Sequence, residues 1–493
     1  MSTHRFLLVS FFLLGVGLFS TDIKAQYAGT IILGRPEDTS IVANVMSPTA
    51  GTVFIEYGTQ SNNYSSKTPT VTLAANTPLE IPLTSLTSNT RYYYKLSYTA
   101  TGSKSASLTT EYSFMTQRSP GSTFVFCCQG DSHPERTKNA FDPNLYIRTL
   151  SSAAASKPDF FVTLGDDFSV DTLTTYSQST VWGRYTLQLP YLNILGPNAP
   201  IMLTNGNHEQ AANYLYDGTP NNVASWAQSG RNTYYSNPAP DNFYTGNPTK
   251  LVGVGANQTT DYLRDYFAWT WGDALFVVID FYWESPVCVD SVLGGGAHVN
   301  TDEWLDTLGA TQFNWLEQTL KTSNAKFKFV FAHHEMGTGR GGIECAKDYE
   351  WGGNDPTAGY IFAQKRPGWS MPIHQMFVTY GVTAFFSGHD HAFVRQQLDG
   401  VTYQELPYAA DPNYGLYNAD AYDSGVIFPA AGYARVTVNP TYVKIDYVRT
   451  YLPADEGPGR VNGATVYSYT LTPRPNLGLV NTAKVKTNNS ISK

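Results

Sequence analysis

The chain has 493 residues, of which 42% are hydrophobic, 14% aromatic and only 15% charged, with a formal net charge of −8. That length holds two or three domains, and the apolar content excludes an intrinsically disordered polypeptide. The acidic balance excludes nucleic-acid binding through the overall field, although a local basic pocket stays open.

Residues 1–25 have the layout of a signal peptide. His4 and Arg5 precede the 14-residue apolar run Phe6–Phe19, and Ala25 offers a small residue before a cleavage point. The run is short for a transmembrane helix, and an uncleaved N-terminal anchor is the alternative. Arg5, Lys24 and Asp22 carry a net +1, so the mature chain stands near −9. No later stretch approaches a spanning segment. The sparse charge and the many Asn, Thr, Ser and Gly residues agree with a secreted or periplasmic protein.

Residues 26–118 read as all-β. "TVFIEYG" (Thr52–Gly58) and "RYYYKLSYTA" (Arg91–Ala100) alternate with period two between Ser, Asn, Gly and Thr clusters. "IPLTSLTSNTRYYYKL" places Leu86, Thr90, Tyr92 and Tyr94 as in the tyrosine corner of fibronectin type III-like sandwiches, which it resembles. In such a corner a buried ring reaches back to the turn backbone through its hydroxyl. "TEYSFMT" (Thr110–Thr116) is a last strand and Gln117–Ser122 a linker.

From Ser122 the pattern changes to short unbroken apolar runs, each ending in a polar turn: "STFVFCCQGD", "PDFFVTLGDD", "PIMLTNGNHE", "ALFVVIDF", "FKFVFAHHE" and "VTAFFSGHDH". Strands buried on both faces look like this, with helical stretches such as Asn144–Ala155 and Gln312–Ser323 between them. Residues 119–473 are therefore expected to form a layered α/β domain with a site along its strand ends. Long Tyr-, Trp- and Gly-rich loops (210–261, 282–302 and 335–369) should shape that site, and residues 474–493 read as a flexible tail. Cys127 and Cys128 lie in an apolar run as buried thiols, whereas Cys288 and Cys345 sit in polar stretches where a disulfide is an open possibility.

The strand ends carry the chemistry. In order they are Asp131-Ser-His133, Gly165-Asp166, Gly206-Asn207-His208-Glu209, His333-His334 and Gly388-His389-Asp390-His391. Each alone could be a turn residue or a satisfied histidine. Together, all at predicted strand ends, they read as one constellation. Asp, His and Asn side chains suit Mn, Fe or Zn, and such a set with one bridging carboxylate can hold two ions roughly 3.5–4 Å apart, the spacing used for in-line attack at phosphorus.

These motifs, spanning residues 131–391, resemble those of the calcineurin-like metallophosphoesterase superfamily, and the N-terminal sandwich is similar to that of its purple acid phosphatase branch. The resemblance implies a four-layer α/β/β/α sandwich behind a small fibronectin-like domain. It places one metal on Asp131, His133, Asp166 and His391, and a second on Asp166, Asn207, His333 and His389. Asn207 and His208 would contact phosphate, with His208 protonating the leaving group while a metal-bridging hydroxide attacks. Asp166 serves this catalysis as the bridge.

One departure matters. The purple branch has a tyrosine iron ligand three residues after the bridging Asp. Here that position is Ser169, and His133 fills a place the branch does not use, so a colourless site is expected. Arg340 is a candidate phosphate clamp. Asp167 and Asp390 are candidates for orienting ligands, and His298 for the site mouth. The function implied is an exported phosphatase acting on small phosphate monoesters. The alternatives are a phosphodiesterase on the same site and a non-catalytic surface protein with aromatic binding loops.

Overall fold

A computed structural model describes residues 27–137, 139–297, 302–335 and 339–478. The expected signal peptide, His298 and the tail beyond Gly478 lie outside these residues.

The N-terminal part is all-β. Thr30–Gly34, Ile41–Met46 and Leu79–Leu83 form one sheet, and Gly51–Gly58 and Arg91–Ala100 lead the other. Val45, Ile55, Leu83, Tyr94, Leu96 and Phe114 share its core. The corner forms as the sequence suggests: Tyr92 is buried and its hydroxyl accepts the Thr87 N–H at 2.9 Å.

The edge strand Thr30–Gly34 is not left open to solvent. Its Ile31 and Leu33 amides donate to Asn193 Oδ1 (2.8 Å) and the Gly196 carbonyl (3.1 Å) of the following domain, and Ile32 packs into that domain's core. Covering the edge removes a template for aggregation and fixes the two parts together.

Two sheets stacked face to face make up the rest. In the first, Ile201–Leu203, Phe161–Thr163 and Phe124–Gln129 run parallel, and Gly432–Val438, Val443–Arg449 and Ala464–Leu471 extend the sheet. In the second, Ala274–Val278, Phe327–Phe331, Ala384–Ser387 and Val401–Glu405 form a parallel centre. Period-two alternation sorts each strand's side chains between two cores. Phe124, Phe126 and Cys128 face Phe276, Phe329, Phe331 and Phe386 across the sheet interface. Cys127 and Phe161 point to the helices Pro143–Ala155 and Gln178–Leu192, while Val330 and Phe385 point to Gly309–Thr322 and Ile373–Tyr380. The result is the expected four-layer α/β/β/α sandwich. Each fully buried phenylalanine contributes roughly 1.5–3 kcal/mol relative to exposure.

Lys328 interrupts an apolar strand, yet it is buried on the helix side. Its ammonium donates to the Leu320 and Tyr380 carbonyls, at 3.0 and 2.5 Å, in the last turns of two helices. Both helix ends are thereby capped by one side chain.

The helix Val223–Tyr234 falls inside a stretch that reads as loop. It is buried nearly all round, and its polar residues are paired inside: Ser229 Oγ donates to the Gly255 carbonyl (2.7 Å) and Asn232 Nδ2 to that of Val254 (2.8 Å). No apolar stripe therefore marks it. All four cysteines are thiols, so Cys288 and Cys345 do not form the disulfide that their setting allowed. Cys288 Sγ donates to the Ser291 carbonyl (2.9 Å) and Cys345 Sγ to that of Arg340 (2.8 Å). Arg474 and Asn476 hydrogen-bond to the Val382 and Leu320 carbonyls, tying the chain down near Gly478. Among the described residues no helix is long and apolar enough to cross a membrane.

Candidate metal centre

The parallel strands of both sheets point the same way, so the turns after them converge on one edge of the sandwich. Asp131 follows Phe124–Gln129, Asp166 follows Phe161–Thr163, Asn207 follows Ile201–Leu203, His333 follows Phe327–Phe331, and His389 and His391 follow Ala384–Ser387. His133, Asp166, His389 and His391 all have positive φ, between 44° and 78°. Such backbone costs energy in non-glycine residues and persists where the surroundings impose it, commonly at functional sites.

Glu209 organises the turns. Its Oε1 accepts the Asp167 and Phe168 amides (2.7 and 3.0 Å), and its Oε2 accepts those of Asp166 and Gly206 (3.0 and 2.6 Å). Burial pushes this acid up to about 8, but four converging N–H donors suit the ionised form. Asp166 Oδ1 accepts the His208 amide at 3.0 Å, which leaves Oδ2 for the site. That atom lies 3.0 Å from His333 Nε2 and 3.7 Å from both His133 Nε2 and His208 Nε2. Asp131 follows the same plan. Its Oδ1 accepts the His389 amide (2.8 Å), while Oδ2 lies 2.8 Å from His391 Nε2 and 3.5 Å from His133 Nε2.

Three overlapping groups result, each with ligand atoms within 4.8 Å of one another: Asp131, His133 and His391; His133, Asp166 and His208; Asp166, His333 and His389. Asn207, expected beside them, has its carbonyl oxygen open. Asn207 Nδ2 donates to Asp290 Oδ2 (3.0 Å) and Ser291 Oγ (2.7 Å), and Oδ1 is buried without a hydrogen-bond partner. His133 Nε2 and His389 Nε2 are also buried without one. His333 Nδ1 faces the Leu164 carbonyl at 2.7 Å, which assigns its proton to that nitrogen and its lone pair to Nε2. His333 Nε2 and His389 Nδ1 are only 3.2 Å apart. Acceptors this close and this buried fit a shared cation, and N/O donors of these types suit Zn, Mn or Fe.

The local fields agree. Burial pushes Asp166 up, but His333 and His208 hold its carboxyl well below the usual range. Burial disfavours charge on His333, yet Asp166 and Asp131 pull it up to about 10. The same field favours a metal ion.

His208 is partly exposed. Its Nδ1 lies 2.8 Å from Asp171 Oδ2 and its Nε2 faces Arg136 Nη2 at 3.1 Å. Of the remaining candidates, Asp167 is buried behind the ligands, accepting from Ser132 Oγ (2.6 Å), and burial pushes it up to about 7. Asp390 accepts from Arg340 Nη1 (2.9 Å), the Gly341 amide (2.8 Å) and the Tyr422 hydroxyl (2.7 Å). Arg340 also donates to the His389 carbonyl at 2.7 Å, so it lies beside the centre with one amino group engaged. Burial and His333 push His334 down to about 3, and its Nδ1 meets the Glu335 carbonyl at 2.6 Å.

Asp171, Arg136, Tyr408 and Asp290 also reach the site but stand in no motif. Tyr408 stacks on His391 with centroids 3.7 Å apart. They are single polar or aromatic residues in turns and loops, so only the fold reveals them.

Residues 124–393, more than half of the chain, match the family model of the calcineurin-like phosphoesterases, and the chain belongs to that family. It is a metallophosphoesterase, a hydrolase, with His/Asp clusters able to hold metals. Its fold matches that of a purple acid phosphatase isolated from yellow lupin (Lupinus luteus) seeds, at 15% identity and a TM-score of 0.58, over 91% of this chain and 75% of that one. It also matches PhoD, at 15% identity and a TM-score of 0.60, over 90% of each chain. At such identity the likeness is one of fold. No curated protein matches the chain by sequence.

Proposed function

We propose that this protein is an exported phosphatase that hydrolyses small phosphate monoesters at a dinuclear metal centre. One observation carries the reading: Asp166 Oδ2 faces His333 at 3.0 Å and His133 at 3.7 Å, so that one carboxylate belongs to two of the candidate ligand groups and would serve both ions. Asp131, His133, Asp166 and His391 would hold one ion, and Asp166, Asn207, His333 and His389 the other. When bound, such a pair neutralises phosphate charge and activates water near neutral pH.

The chain's own groups supply the rest. Asp171 Oδ2 lies 2.8 Å from His208 Nδ1 as a counter-charge, and His208 delivers a proton to the departing alkoxide. Asn207, His208 and Arg340 contact the substrate. Residues 26–118 are read as a fibronectin type III-like unit on the strength of the tyrosine corner, and residues 1–25 as the signal for export.

A panel of a monoester, a diester and a nucleotide under Mn, Zn and Fe tests the proposal. Preferred turnover of the monoester supports it. Preference for the diester makes the protein a phosphodiesterase, and a chain that binds metal-free and turns over nothing is a binding protein.

A further inference from the structure

Arg136 touches His208, and the mechanism above leaves it without a role. Its Nη2 faces His208 Nε2 at 3.1 Å, its Nη1 donates to the Tyr408 hydroxyl at 2.9 Å, and its Nε lies 3.3 Å from Glu135 Oε1. The guanidinium thus spans the mouth from the proposed general acid to the tyrosine stacked on His391. Its side chain is 29% exposed, open to an arriving solute, while Glu135 is nearly covered.

The pairing with His208 is poor for so strong a donor. An imidazole nitrogen is a neutral acceptor, and Nη1 has only a phenol. A phosphate oxygen would bind both amino groups better, because a guanidinium fork matches an oxyanion in geometry and charge.

We propose that Arg136, held by Glu135 and Tyr408, forms a subsite for a terminal phosphate oxygen, and that this subsite selects monoesters over diesters. The inference rests on the proposed phosphatase reading. A monoester presents three terminal oxygens and a diester two. With two oxygens turned toward the ligand clusters, only a monoester has a third for the fork. A diester puts an ester group there, which offers the fork no charged oxygen.

The test compares p-nitrophenyl phosphate with bis-p-nitrophenyl phosphate, together with calorimetric binding of inorganic phosphate, for the metal-loaded full chain. Arg136→Ala should lower monoester kcat/KM and weaken phosphate binding by about 10²-fold, while diester kcat/KM moves less than about threefold. Arg136→Lys should restore part of both losses. Tyr408→Phe, which keeps the ring on His391, should shift the ratio the same way by about fivefold. Metal content should not change. Equal losses on both esters, or unchanged phosphate binding, would overturn the subsite while leaving a working phosphatase. A wild-type protein that hydrolyses neither ester would instead overturn the phosphatase reading, and the subsite with it.

Discussion

Ser169 Oγ lies 2.8 Å from His133 Nδ1, and Glu135 Oε1 lies 3.3 Å from the same nitrogen. The serine stands where the purple branch has its tyrosine ligand, and the histidine is the ligand candidate that the branch does not use. In the proposed centre the two departures act together: the serine hydroxyl meets His133 Nδ1 and leaves Nε2 buried without a hydrogen-bond partner, open to an ion. Ser169→Ala should weaken metal binding by about 10–100-fold, the usual effect of losing an orienting partner, as read by a chelator competition. Unchanged affinity would mean that Glu135 alone sets the ring. Iron-loaded protein should also lack the visible charge-transfer band of a tyrosinate ligand, which an absorption spectrum checks.

Glu209 joins two ligand-bearing turns through four backbone N–H groups. Glu209→Gln swaps one oxygen for an amide that faces donors with donors. The change should cost about 1–3 kcal/mol of stability and lower metal content. A thermal melt together with elemental analysis would show it, and a variant as stable and as metal-rich as the wild type would remove Glu209 from its organising role.

His208, with Asp171 Oδ2 2.8 Å from its Nδ1, is the proton donor of the proposed mechanism. His208→Ala should slow alkyl phosphates by about 10²–10⁴-fold, yet p-nitrophenyl phosphate much less, since its leaving group needs little protonation. Asp171→Asn should follow in the same direction, more weakly. Equal losses across leaving groups would assign His208 to binding alone.

Lys328 makes a pH-dependent contribution to stability. Burial lowers its ammonium from 10.5 to about 8. Between those values the unfolded chain keeps a proton that the folded one has released, so stability relative to Lys328→Met rises with pH across that window and is flat below it. Lys328→Met should also lose about 1–3 kcal/mol at neutral pH by leaving the Leu320 and Tyr380 carbonyls unsatisfied. Denaturant melts of both proteins at several pH values decide the point. A difference that does not change with pH would show that the lysine titrates normally.

The strand ends were legible because each apolar run stops at a polar turn, and Asp131, His133, Asp166, Asn207, His333, His389 and His391 all stand there. The tyrosine corner was legible for a similar reason, a local spacing with one physical purpose. Asp171, Arg136, Tyr408 and Asp290 were not, because they reach the site from loops whose residues have no period and no neighbours of like chemistry. The helix Val223–Tyr234 was hidden by its own burial, which places Ser229, Arg231 and Asn232 inside instead of on a wet face. Asp390, read as a candidate for orienting ligands, accepts from Arg340, Gly341 and Tyr422.

The central claim is that Asp166 bridges two ions that the reaction requires. Elemental analysis of the purified chain, paired with monoester turnover before and after exhaustive chelation, tests it most directly. The account predicts two equivalents of transition metal per chain, activity lost with them and restored by Mn, Zn or Fe, and no such restoration in Asp166→Ala. Full turnover in the metal-free chain, or in Asp166→Ala, would contradict it.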